Sequence, residues 1–238
     1  MEWFLVIGFF VGMGHAIEAD HLAAVGAMAI GKNSPKSLLM RGAVWGLGHT
    51  LTLFALCSAA ILFGLALTEQ TSAALEFAVG IMLVVLGLDV LRRLQNARMH
   101  FHVHDHGDGR PHLHAHSHAG SSVPHENDAH DHTHRSGFPL KALLVGLVHG
   151  AAGSAGLLAL AVAASKDAWL AVSYVVLFGI GSILGMAILS FVAAWPLGWA
   201  ERSAKWLHSG VHIVAALFAI GLGIHVMIET GPIALGSL

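Results

Sequence analysis

The stretch His15-Ala16-Ile17-Glu18-Ala19-Asp20-His21 lies inside an otherwise apolar run, residues 3–30, that is long enough to cross a bilayer. Two imidazoles and two carboxylates in hydrocarbon are costly, at roughly 2.5–3.5 kcal/mol per charged group on the mildest insertion scale. Such groups persist where they face a protein interior or a hydrated cavity and handle an ion or a proton. The run has no basic leading segment, and its polar cluster falls within the apolar part. It therefore reads as a membrane span rather than a cleaved signal peptide.

The rest of the chain agrees. Of 238 residues, 55% are hydrophobic and 11% charged, with a mean hydropathy of +0.71; a soluble domain carries about 25% charged residues. Six apolar spans can be drawn, over residues 3–30, 38–67, 73–94, 140–164, 169–195 and 206–228. Each reaches the roughly 20 residues that a spanning helix needs. The runs are continuously apolar rather than alternating, which excludes a closed β-barrel. Short polar links join them, except at 95–139, which is long and rich in histidine.

Orientation follows from the basic residues. When the links are numbered alternately, every Lys and Arg except Lys166 falls on one side of the membrane. That side is expected to be cytoplasmic, with both termini outside, in a multi-pass protein of the inner (cytoplasmic) membrane. The net charge of −2 gives no sign of a nucleic-acid partner, and Cys57, the single cysteine, excludes an intrachain disulfide or dithiol chemistry within one subunit.

The two halves resemble each other. Gly12-Met13-Gly14-His15 is similar to Gly146-Leu147-Val148-His149. Gly46-Leu47-Gly48-His49 is similar to Gly179-Ile180-Gly181-Ser182, and Leu86-Gly87-Leu88-Asp89-Val90 to Leu222-Gly223-Ile224-His225-Val226. The offsets between matched positions stay nearly constant. Each half has an odd number of spans, so the second half must be inverted. The expected fold is an all-α integral membrane protein with six transmembrane helices in two inverted three-helix repeats. The first repeat covers residues 1–97, a cytoplasmic histidine-rich loop covers 98–138, and the second repeat covers 139–238. Inverted repeats place their substrate site near the midplane, at the repeat interface. The same alignment sets Asp20 against Ser154 and His21 against Ala155, so the first half holds the stronger ligands.

Imidazole nitrogen combined with carboxylate oxygen suits borderline divalent ions such as nickel, cobalt, zinc or copper. An all-oxygen cage for magnesium or calcium would not need the histidines. On an unbroken helix His15, Glu18 and His21 share an arc of about 120°, and Asp20 points elsewhere. Bringing Asp20 to the same ion requires a distortion, which Gly12 and Gly14 would permit. His49 in the second span lies at a matching depth, and His149 matches His15 in the repeat. The candidate metal ligands are His15, Glu18, Asp20, His21, His49 and His149. Glu18 has a competing role as a proton carrier. Asp89 and His225, near the ends of their spans, read as solvated helix termini or outer partners. His208 and His212, one turn apart, are candidates for a role at the inner mouth.

The His-x4-Asp-His pattern at His15, Asp20 and His21, followed by Leu47-Gly48-His49-Thr50, resembles the signature of the nickel/cobalt transporter family. That resemblance implies secondary transport of Ni²⁺ or Co²⁺, with these residues as transport ligands. The Leu-Gly-x-Asp-Thr-Ala-Thr-Glu-like motif of typical members is absent from the second half. Instead Gly146-Leu147-Val148-His149-Gly150-Ala151-Ala152-Gly153-Ser154 resembles the urease-accessory UreH-like branch, which favours import. The histidine-rich loop resembles the RcnA-type exporters, without their Pro-Cys-Pro motif, so efflux by proton exchange is the alternative. The metal is the transported substrate, and no organic cofactor is expected. The expected partners are the ion, the lipid bilayer and a cytoplasmic metallochaperone.

The loop carries 12 of the 19 histidines, interleaved with acidic residues. Its composition predicts disorder without metal and a role as metal buffer or sensor. Two other classes compete with transport. An intramembrane metalloenzyme would be expected to show His-Glu-x-x-His, whereas the spacing here is His-x-x-Glu-x-x-His, so no enzyme is expected. A membrane metal sensor or chaperone anchor would leave the intramembrane histidines without a purpose.

Overall fold

A computed structural model of the protein describes residues 2–29, 34–63, 68–96, 99–104, 112–117, 139–152, 168–203 and 205–236. Helices α1 (Glu2–His15), α2 (Ala19–Met28), α3 (Pro35–Phe63) and α4 (Glu69–Asn96) come first. A hairpin of strands β1 (Met99–His104) and β2 (His112–Ser117) follows, and then α5 (Leu140–Ala151), α6 (Ala168–Ser203) and α7 (Lys205–Ala234).

Four helices, α3, α4, α6 and α7, are long and apolar enough to cross a membrane; α1 and α2 together make a fifth span if taken as one helix bent by 52°. The fourth expected span, 140–164, is described only as α5, and its remainder lies outside the described residues. Residues 196–205, expected as a link, are mostly helix, because α6 continues through Pro196 to Ser203. Membrane helices tolerate proline where neighbours and local adjustments satisfy the freed backbone groups. The outward faces are apolar: Phe10, Leu51, Val85, Ile188 and Leu217 are each at least 45% exposed. Large apolar side chains around a whole helical bundle are what lipid tails cover, and the protein is an all-α membrane protein.

Helix α1 packs on α6, α5 packs on α3, α3 meets α6, and α4 meets α7; α2 rests mainly on α7. Glycines let these backbones approach. A Cβ on Gly12 would strike the carbonyl of Phe178, and one on Gly146 the carbonyl of Trp45. Gly181 faces the carbonyl of Phe9, and Gly48 that of Leu143; Gly223 faces the carbonyl of Gly80, and Gly87 that of Ala216. Phe178 directly precedes Gly179 as Trp45 directly precedes Gly46, and Phe9 lies three before Gly12 as Leu143 lies three before Gly146. Glycines matched between the halves thus make reciprocal contacts. The buried core between them holds Trp45, Leu83, Met186, Ala216 and Ala219.

Candidate metal site

The first span breaks inside its polar stretch. α1 ends at His15 and α2 begins at Ala19, with Glu18 extended between them at φ −63°, ψ 153°. The backbone N–H of Ile17 donates to the Gly14 carbonyl at 3.0 Å, and that of Glu18 to the His15 carbonyl at 3.2 Å, closing the end of α1 with a tight turn. The break falls just past the glycines, and Gly12 is committed to the contact with Phe178. α5 ends two residues after His149. Two helix C-termini, with partial negative charge, and the N-terminus of α2, with partial positive charge, therefore lie beside the same cluster.

Four imidazoles meet there. His15, His21, His49 and His149 are 7%, 1%, 1% and 1% exposed. The His21 ring centroid is 4.6 Å from that of His15, 5.4 Å from His49 and 4.4 Å from His149, with His149 stacked on it. His15 and His49 are 5.1 Å apart. Two groups could each hold one ion, His15 with His21 and His49, and Asp20 with His21 and His149; within each, one donor atom per residue lies within 4.8 Å of the others. Two nitrogens on one tetrahedral ion stand roughly 3.3 Å apart at metal–nitrogen distances of about 2.0–2.1 Å. Either group would have to contract to reach that spacing, and His21 belongs to both.

The carboxylates orient the rings. Glu18 Oε1 is 2.7 Å from His15 Nδ1, and Asp20 Oδ1 is 3.0 Å from His21 Nδ1. Asp20 Oδ2 is 2.9 Å from His149 Nε2, and Asp20 Oδ1 also accepts the backbone N–H of His21 at 2.9 Å. An ionised carboxylate only accepts, so each of these ring nitrogens donates to it, and in a neutral imidazole the other nitrogen carries the lone pair that a metal would take. Carboxylates behind metal-binding histidines fix tautomer and orientation in this way. His21 Nε2, both ring nitrogens of His49 and His149 Nδ1 are buried with no hydrogen-bond partner among the described residues. A buried polar atom left unpaired costs about 1–3 kcal/mol. A cation answers several such lone pairs at once.

All six candidate ligands are therefore gathered at one place, although Glu18 reaches the cluster only through His15. Asp89 lies elsewhere, held by Lys141 at 2.5 Å and Arg93 at 3.1 Å. His225 faces Glu229 at 3.7 Å on an exposed surface. His212 is 2% exposed on α7. The side chain of His208, Ser154, Ala155 and the loop histidines beyond β1 and β2 lie outside the described residues. The sequence reading missed Trp45 and Phe178. The Trp45 ring stands 5.3 Å from His21 and 5.8 Å from His149, and Phe178 stands 5.5 Å from His15. They wall the cluster from both halves. The signal for them was present, since each directly precedes a repeat glycine.

No family model matches this chain, and no solved structure does. Over 228 residues the chain is 30% identical to the urease accessory protein UreH of Bacillus sp. (strain TB-90), spanning 95% of this chain and 91% of that protein. A match of that extent takes in both halves of the chain, and on it the chain belongs to the UreH family of urease accessory proteins.

Proposed function

We propose that this protein is a secondary transporter of a borderline divalent ion, nickel before cobalt, across the cytoplasmic membrane. The observation that carries the reading is the set of buried ring nitrogens on His21, His49 and His149, without hydrogen-bond partners among the described residues, at a broken span inside an apolar bundle. The resemblance at His15, Asp20, His21 and His49 to nickel/cobalt transporters supports the metal class, and the resemblance of residues 146–154 to the UreH-like branch, the family to which the chain belongs, favours import. The reciprocal glycine contacts support two inverted repeats with the cluster at their interface.

In this account the hydrated ion trades water for imidazole nitrogens at His15, His21 and His49, all from the first half. Asp20 and Glu18 hold the rings and balance charge. His149, from the second half, reaches the ion only through the group that it shares with His21 and Asp20. Rocking one half against the other then changes the donor set and opens the site to alternate faces. Inward movement of a divalent cation is helped by the membrane potential, at about 2.3 kcal/mol per charge per 100 mV.

Radiolabelled nickel flux in oriented vesicles, with and without an imposed pH gradient, tests this. The expected result is saturable inward flux that responds to membrane potential. Flux only outward, and only when protons can flow inward down an imposed gradient, would replace import with exchange. No flux in either direction would overturn the transporter reading.

A further inference from the structure

Helix α6 carries a buried hydroxyl that the imidazole cluster leaves unused. Ser182 is 0% exposed, and its Oγ has no hydrogen-bond partner among the described residues. Inside a helix such a hydroxyl either points to solvent or bonds the carbonyl four residues back. Ser173 donates in this way to Trp169 at 2.8 Å, and Thr230 to Val226 at 2.8 Å. Ser182 does neither.

Its place on α6 says what it faces. At about 100° per residue, Ser182 lies about 40° around the helix from Phe178, between a sector turned to α1 and a sector turned to α3. Gly181, against Phe9 and Met13, and Gly185, against Met13 and Ala16, mark the first sector. Gly179 and Met186 mark the second: the Gly179 carbonyl accepts from Thr50 Oγ1 at 3.1 Å, and a Cβ on Gly42 would strike the Met186 carbonyl. The same contacts fix the depth, because Ala16 adjoins His15 and Thr50 adjoins His49. From those two helices the rings of His15 and His49 approach to 5.1 Å. Phe178, one turn from Ser182, stands 5.5 Å from the His15 ring. Ser182 therefore faces the place where the two imidazoles meet.

The repeat leads to the same position. Ser182 matches His49, and His15 matches His149. Gly181, just before Ser182, faces the Phe9 carbonyl as Gly48, just before His49, faces that of Leu143. Ser182 thus stands to His15 as His49 stands to His149, and the rings of that second pair are 6.5 Å apart.

We propose that Ser182 Oγ is a further donor to the transported ion, a neutral oxygen from the second half added to His15, His21 and His49. The inference rests on the transporter reading and names one more residue of its site. A hydroxyl oxygen has two lone pairs and no charge. It is a harder and weaker donor than imidazole, of the kind that borderline ions take beside nitrogen. Because it belongs to α6, its bond to the ion crosses between the halves. As the weakest of the four donors it is the first to be given up when one half moves against the other.

The test puts sulfur at this position. In the full chain, with the histidines within 98–138 replaced by asparagine, Cys57→Ala removes the single thiol. Ser182→Cys then places a thiol of nearly the same size where the hydroxyl stood. X-ray absorption at the nickel edge is expected to show a sulfur in the nearest shell, with a charge-transfer band that the Cys57→Ala parent lacks. Ser182→Ala, which removes only the oxygen, is expected to bind nickel about tenfold more weakly by equilibrium dialysis, the lower end of what losing a supporting group costs a metal site. A shell of nitrogen and oxygen alone in the Ser182→Cys chain, or unchanged affinity in Ser182→Ala, would overturn the inference and leave the imidazole site standing. Absence of nickel binding in the parent would overturn both.

Discussion

Asp20 Oδ2 stands 2.9 Å from His149 Nε2, across 129 residues of chain, and joins α2 of the first half to α5 of the second. The other oxygen of the same carboxylate holds His21 Nδ1 at 3.0 Å. One carboxylate therefore sets the orientation of a histidine from each half.

Replacing Asp20 by Asn keeps the shape and removes one acceptor. The amide nitrogen would then face one of two ring N–H donors. Nickel affinity is expected to fall about 10–100-fold, the usual effect of losing a carboxylate behind a metal-binding histidine. Isothermal titration of the detergent-solubilised protein checks this. An unchanged affinity would mean that Asp20 does not position the rings.

His149 has a different expected signature from His49. The group of His15, His21 and His49 survives the loss of His149, so His149→Gln should bind nickel within about tenfold of wild type. Its flux should drop by more than tenfold, because the donor supplied by the second half is gone. His49→Ala should lose both binding and flux. Paired dialysis and vesicle measurements separate the two, and equal losses in both variants would contradict distinct roles.

The helix packing makes a prediction about stability. Gly12→Val and Gly146→Val each drive a side chain into a backbone carbonyl of the other half, Phe178 in one case and Trp45 in the other. Overpacking of this kind costs about 1–3 kcal/mol or more. Similar losses in thermal midpoint are expected for the two variants. At Gly14 a methyl would meet nothing within 4 Å, so Gly14→Ala should be neutral or stabilising by about 0.5–1 kcal/mol. A thermal melt in micelles distinguishes the cases.

Asp89 tests the boundary of the site. Its carboxylate is a third exposed and bonds Lys141 and Arg93, remote from the imidazoles. Exposed ion pairs contribute at most about 1 kcal/mol. Asp89→Ala should leave nickel affinity unchanged and lower stability only slightly. A large loss of affinity by titration would bring Asp89 into the metal path.

Much of this architecture can be read from the sequence, because membrane helices announce themselves by unbroken apolar runs. The polar residues at 15–21 stood out against that background, and the repeat led to His149. The break in the first span was harder to place. Gly12 and Gly14 invited it, yet packing against Phe178 fixes Gly12, and the chain yields at Ala16–Glu18, where both carboxylates can turn back to the rings. Trp45 and Phe178 were missed because an aromatic residue in an apolar helix looks like any other core or lipid contact, and only its place before a matched glycine marks it. The helical course of 196–203 was obscured by Pro196, which reads as a boundary in a soluble protein. In the loop, histidine content masked the two-residue period that pairs β1 with β2.

X-ray absorption at the nickel edge tests the central claim most directly, on protein whose histidines within 98–138 are replaced by asparagine so that only the bundle can bind. The account predicts one tightly held ion whose nearest shell shows at least three imidazole nitrogens and no sulfur, with His49→Ala removing one of them or abolishing binding. A shell of water and carboxylate oxygen alone, unchanged by His49→Ala, would contradict it.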